Sequence, residues 1–142
     1  MMTYYTQLGT LRLPNGFADR TLHVLVAQGE GPGFNIVISL SPVEPDEDLD
    51  AYVEREITDL RRQVSKLEVT SKKTMKLGAT ATTGYCIELQ YKQKGAFLYH
   101  RQGVFVFPQR RDAMTIVASS TAPFTDTQRA AFDAVVATFT LH

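Results

Sequence analysis

Residues 34–67 read FNIVISLSPVEPDEDLDAYVEREITDLRRQVSKL, and a change of period inside this stretch decides the fold class. Up to Ser41 the chain alternates as a strand does, with Phe34, Ile36, Ile38 and Leu40 on one side and Asn35, Val37, Ser39 and Ser41 on the other. Pro42 and Pro45 end that pattern. From Asp46 to Leu67 the apolar residues Leu49, Tyr52, Val53, Ile57, Leu60, Val64 and Leu67 recur at intervals of three and four, one stripe of an amphipathic helix. Asp46, Glu47, Asp48 and Asp50 gather at its start and Arg55, Arg61, Arg62 and Lys66 in its latter half, as the helix dipole favours.

On the N-terminal side, Tyr4–Gln7 and Thr10–Leu13 read as short strands before a turn at Pro14, Asn15 and Gly16. Arg20–Gln28 is a further β-rich run, joined to Phe34–Ser41 by Gly29, Glu30, Gly31, Pro32 and Gly33, so the two are expected to pair antiparallel. On the C-terminal side, Glu68–Leu77, Thr80–Gln93, Ala96–Phe107 and Ala113–Thr121 read as strands, with turns at Gly78, Lys94-Gly95 and Arg110–Asp112. Pro123 stops the last strand. Thr125 and Gln128 have the spacing of a capping box, and Ala131, Phe132, Val135, Val136 and Phe139 follow as the stripe of a short helix. This order predicts a single α+β domain over residues 1–142: an antiparallel twisted sheet with one long and one C-terminal helix packed on one side.

The 142 residues are 44% hydrophobic and 21% charged, which suits a packed core and argues against disorder. Fifteen basic residues balance fifteen acidic ones, so no global field gathers nucleic acid or anionic lipid, and no nucleic-acid partner is expected. The local run Arg61, Arg62, Lys66, Lys72, Lys73, Lys76 and the pair Arg110-Arg111 read as solvated faces. Met1–Gly16 lacks the apolar core of a signal peptide, and no apolar run reaches the ~18 residues that span a bilayer. A soluble, cytoplasmic protein without direct membrane insertion is the expectation.

Catalysis needs a nucleophile, a base and an orienting group held together, and the candidates are few. Cys86 has no cysteine partner and alternates with Tyr85 and Ile87 in a strand, as a buried structural thiol does. His23 and His100 lie in strands, His142 is terminal, and no His-x-His or His-x-x-x-His spacing suggests a metal. Asp46–Asp50 lacks the glycine and distal Glu of a calcium loop. Gly29, Gly31 and Gly33 have no helix N-terminus behind them to hold a phosphate. No metal, cofactor or enzymatic activity is expected; a small enzyme or ligand-binding domain using His23, His100 or Cys86 is the alternative.

The strands are apolar on both sides. Leu22, Val24 and Val26 oppose Leu25 and Ala27; Phe97, Tyr99, Phe105 and Phe107 oppose Leu98, His100, Gln102, Val104 and Val106. Helices on one side leave the second face bare. A dimer partner, a hydrophobic ligand in the concavity, or the chain's own loops and edge strands are the available covers.

The run FNIVISLSPVEPDEDLDAYVEREITDLRRQVSKLEV, the strand LYHRQGVFVF and the closing FDAVVATFTL resemble the DcrB-like domain family and, within it, the cytoplasmic Eag-type chaperones of the type VI secretion system. The resemblance implies a Mog1/PsbP-like fold and a homodimer with a concave hydrophobic groove. It also implies binding of the N-terminal transmembrane segments of a PAAR-containing effector and help in loading it onto the VgrG spike. By the same resemblance the groove residues are Leu22, Val24 and Gln102, with Val37 and Ser39 on the neighbouring strand and Val104 joined by its side of the strand. Where the family often carries a basic residue after the VIS run, this chain has Leu40.

Overall fold

The computed structural model describes residues 1–29 and 31–141; Glu30 of the expected hairpin loop and the terminal His142 lie outside it. The chain runs β1 (Met2–Tyr5), β2 (Thr10–Leu13), β3 (Leu22–Leu25), β4 (Asn35–Pro42), α1 (Leu49–Gln63), β5 (Ser65–Lys76), β6 (Thr83–Gln93), β7 (Ala96–Phe107), β8 (Asp112–Ser120) and α2 (Asp126–Ala137). β1 and β2 form their own hairpin, and the other strands make a six-stranded sheet in the order β3-β4-β8-β7-β6-β5, every pairing antiparallel. This is the antiparallel α+β class expected from the sequence.

The long helix is shorter than its apolar stripe. Asp46 takes φ 64° in a turn, and Asp48 caps the helix by accepting the Ala51 N–H at 2.8 Å. At the other end Val64 is already extended, and Leu67, the last member of the stripe, points into the same core from β5. β-Branched and hydroxyl residues from Val64 onward favour a strand, which enters through a bulge between Ser65 and Glu68 with Lys66 at φ 55°. β3 is also shorter than expected. Beyond Leu25 the Asn35 side chain, not its backbone, receives the Ala27 N–H at 3.1 Å, so the ladder stops. The C-terminal capping box is present: Thr125 accepts from the Gln128 N–H at 3.1 Å and the Gln128 side chain accepts from the Thr125 N–H at 3.0 Å.

The two helices, expected on one side, divide between the two faces of the sheet. Tyr52 and Val53 of α1 pack with Ile87, Leu89, Tyr91, Val104 and Ala113, while Phe132 and Val136 of α2 pack with Cys86, Phe105, Met114, Ile116 and Ala118. Adjacent strand residues such as Cys86 and Ile87, or Val104 and Phe105, therefore serve opposite cores. That is the physical reason: strands apolar on both faces need a helix on each.

Charges lock both helices. Tyr85 donates its hydroxyl to Asp50 at 2.6 Å with Lys72 above the Tyr85 ring, which ties the start of α1 to the sheet. Within the opposite core Arg101 bonds Asp133 of α2 at 2.8 and 3.0 Å and also Glu88, and Arg129 bonds Glu88 at 2.7 and 3.1 Å. Burial pushes the Glu88 carboxyl up, but the bonds from Arg129 and Arg101 outweigh it and hold it below the usual range.

Two variants test these locks by urea unfolding. Arg101→Ala leaves Glu88 with Arg129 alone and takes the bidentate partner from Asp133 of α2, and is expected to lower stability by about 1–3 kcal/mol. Gly78 sits at φ 56°, where a β-carbon would lie 2.1 Å from the Phe139 carbonyl oxygen, so Gly78→Ala is expected to cost roughly 2–4 kcal/mol. An unchanged unfolding midpoint in either variant contradicts the corresponding contact.

Candidate functional site

Strand register gathers the six residues singled out in the sequence. Leu22 pairs with Ser39, Ser39 with Thr115, and Thr115 with Val104; the adjacent row runs Val24, Val37, Val117, Gln102. Both rows cross β3, β4, β8 and β7 on the face that carries α1. Since the side chains of a row point the same way, the two rows form one continuous floor of aliphatic groups set with Ser39, Thr115 and Gln102.

The floor is covered at one end and bare at the other. Val104 is 3% exposed and belongs to the core beneath α1, whereas Leu22 and Val24 on the edge strand are 58% and 59% exposed. Val37, Ser39, Gln102, Thr115 and Val117 between them are half-buried. Where α1 meets this floor a recess of about 230 Å³ opens, lined by Tyr52, Ile57, Leu60, Gln102, Val104 and Val117 among others. Val104 is thus the buried inner margin of the groove and β3 its open outer margin. Tyr52, Thr115 and Val117 were not among the residues picked from the sequence. The alternation Ala113, Thr115, Val117 is legible there, but the register that sets it against Gln102 is not.

His100 also lines the recess, beside Tyr91, whose hydroxyl lies 3.1 Å from Nε2 with the rings edge to face. Burial lowers its pKa to about 4, so the ring is neutral at pH 7 and adds no charge to the groove. The other two candidates for chemistry stand elsewhere. Cys86 is buried on the α2 face, where burial pushes the thiol up to about 11 against the opposing pull of Arg101. His23 is exposed on the same α2 face of β3, and β4, β8 and β7 lie between it and the strand of Cys86. The three side chains do not converge, and among the described residues no group of three or more His, Cys, Asp and Glu could hold a metal ion.

A roomier recess of about 730 Å³ lies beside α2, lined by Lys73, Met75, Glu88, Arg101, Arg129 and Asp133 among others. Its acids and arginines are joined in the network that fastens α2, so those charges are engaged in holding the fold. The groove beside α1 differs in that the polar groups on its floor, Ser39, Thr115 and Gln102, are uncharged, the carboxylates Glu56 and Asp59 standing on α1 at the recess. No helix among the described residues is long and apolar enough to cross a membrane.

The neutral His100 has a measurable consequence. The native state takes up its proton only near pH 4, while the unfolded chain takes it up near 6.5, so acid favours unfolding across that window. Between pH 7 and 5 the wild type is expected to lose about 1–2 kcal/mol more stability than His100→Gln, as read from urea unfolding at each pH. Parallel pH profiles for the two proteins contradict a neutral buried ring.

No curated protein matches the chain. The crystal structure of PA94 from Pseudomonas aeruginosa, a protein of unknown function suggested to be a regulator, superposes with a TM-score of 0.75 at 17% identity, over 100% of this chain and 97% of that one. At that identity the likeness is one of fold. The DcrB family profile matches residues 9–138, nearly the whole sequence and all of the groove-forming strands, and the chain belongs to the DcrB family.

Proposed function

We propose that the protein is a cytoplasmic chaperone-adaptor of the Eag type. In this reading it shields the N-terminal transmembrane helices of a PAAR-containing type VI secretion effector and aids their loading onto the VgrG spike. One observation carries the proposal: the two cross-strand rows from Val104 and Gln102 to Leu22 and Val24 leave an aliphatic floor beside α1 that no element among the described residues covers at its β3 end. An apolar helix laid along it buries its side chains against Val24, Val37 and Val117. Gln102, Ser39 and Thr115 then offer hydrogen bonds to Ser, Thr or exposed backbone of that helix. The role is one of binding, without a cofactor and without catalysis. A homodimer fits it, because a second copy doubles the floor and encloses a segment that one copy leaves half in water.

A second reading, a structural or regulatory homodimer without a helix client, draws on the other face, where Leu25 and Leu40 are 54% and 46% exposed. There the apolar edge is spent on a permanent interface and the groove has no occupant.

Co-expression with the N-terminal segment of a neighbouring PAAR effector separates the two. Wild type is expected to keep the segment soluble and to co-purify with it. Val24→Asp with Gln102→Ala, both on the groove and outside the buried cores, is expected to fold yet retain at most about a tenth of the segment, because a carboxylate is set against apolar side chains. Failure of wild type to solubilise the segment, with a dimer intact by light scattering, favours the second reading.

A further inference from the structure

The groove is asymmetric in charge. Along α1 the side chains of Tyr52, Glu56, Asp59 and Gln63 all border the recess, at spacings of four, three and four that place them in one row beside the apolar stripe. Across the floor the opposite margin is Leu22 and Val24, both uncharged. Two carboxylates and no Lys or Arg stand among the residues that line the recess.

Exposed helix carboxylates are ordinarily just solvated, so their pairing decides whether these are available. Asp59 meets Arg62 at 3.7 Å and Glu56 meets Arg55 at 3.7 Å, both loose contacts at half-exposed acids. Arg55 is committed elsewhere, with bonds of 2.8 and 2.9 Å to Glu47. Glu56 and Asp59 therefore keep acceptor capacity at the border of a recess whose lining holds no counter-charge.

We propose that this rim selects the occupant of the groove: an apolar helix that carries Lys or Arg at one end, its cation seated between Glu56 and Asp59 while its apolar length lies on the floor. The inference rests on the shielding function proposed above and adds to it a charge preference, hence a preferred orientation of the bound helix. An acidic end is disfavoured by repulsion from the same pair.

Competition measures the preference directly. Two soluble carrier proteins of different size, each bearing the same 18-residue Leu/Ala/Ser helix ended by Lys-Lys or by Glu-Glu, are co-expressed with a limiting amount of the full chain and the captured ratio is read. Wild type is expected to favour the Lys-ended carrier by about fivefold or more at low salt, the scale of one or two exposed ion pairs. Raising the salt should shrink the ratio. Glu56→Gln with Asp59→Asn should bring it near unity while total capture persists, and Glu54→Gln, a carboxylate of α1 outside the recess, should leave it unchanged. Equal capture of both carriers by wild type overturns the rim assignment and leaves the shielding function standing; capture of neither overturns both. A ratio lost equally in Glu54→Gln would assign the preference to the general field of the helix and also overturn the proposal.

Discussion

A helix is about 10 Å across, and six strands spaced by about 4.8 Å make a sheet more than twice that width. One helix per face therefore cannot cover the face it packs on, and everything distinctive in this molecule follows from where each helix is fastened. α1 is pinned toward β5, β6 and β7 by the Asp50, Tyr85 and Lys72 cluster and by the core of Tyr52 and Val53 against Ile87 and Leu89. What remains bare on that face is the β3 end, Leu22 and Val24, reached from α1 across the half-buried Thr115, Val117, Val37 and Ser39.

The opposite face solves the same problem with charge. Arg101 stands on the middle of the sheet and reaches both Glu88 and Asp133, so α2 is held by bonds that need fixed partners as well as by Phe132 and Val136. Such a network is strong only when complete, and none of its buried side-chain atoms lacks a partner. The α1 face has no equivalent over its bare strip. Its Ser39, Thr115 and Gln102 are polar enough to tolerate water and short enough to leave the aliphatic floor open, the combination that a reversible binding surface needs.

Much of the fold was legible because local rules acted alone. Pro42 and Pro45 broke the strand of Ile36 and Ile38, the three-and-four spacing from Leu49 to Leu60 gave the helix, and Thr125 with Gln128 marked the start of the last one. The misjudged ends have the same kind of cause. Val64 and Leu67 continue the helical spacing, yet the chain is already extended there, because Val64 at the helix C-cap and Leu67 in the bulged start of β5 both reach the same core. The side of the sheet on which each helix lies was not legible, since alternation says that Cys86 and Ile87 face apart and not which helix each will meet.

For the groove, the sequence by itself determined the chemistry: aliphatic residues on β3 and β4, a glutamine in β7, apolar groups on both sides of the strands, and the pattern that places the chain with the DcrB family. Only the tertiary structure decided that Leu22, Ser39, Thr115 and Val104 form one row, that Val104 is sealed under α1 while Val24 stays open, and that Glu56 and Asp59 edge the recess. The reason is that residue type and periodicity are local properties of the backbone, whereas register joins strands far apart in the chain. Shifting one strand by a single residue would turn every side chain it contributes to the row to the other face.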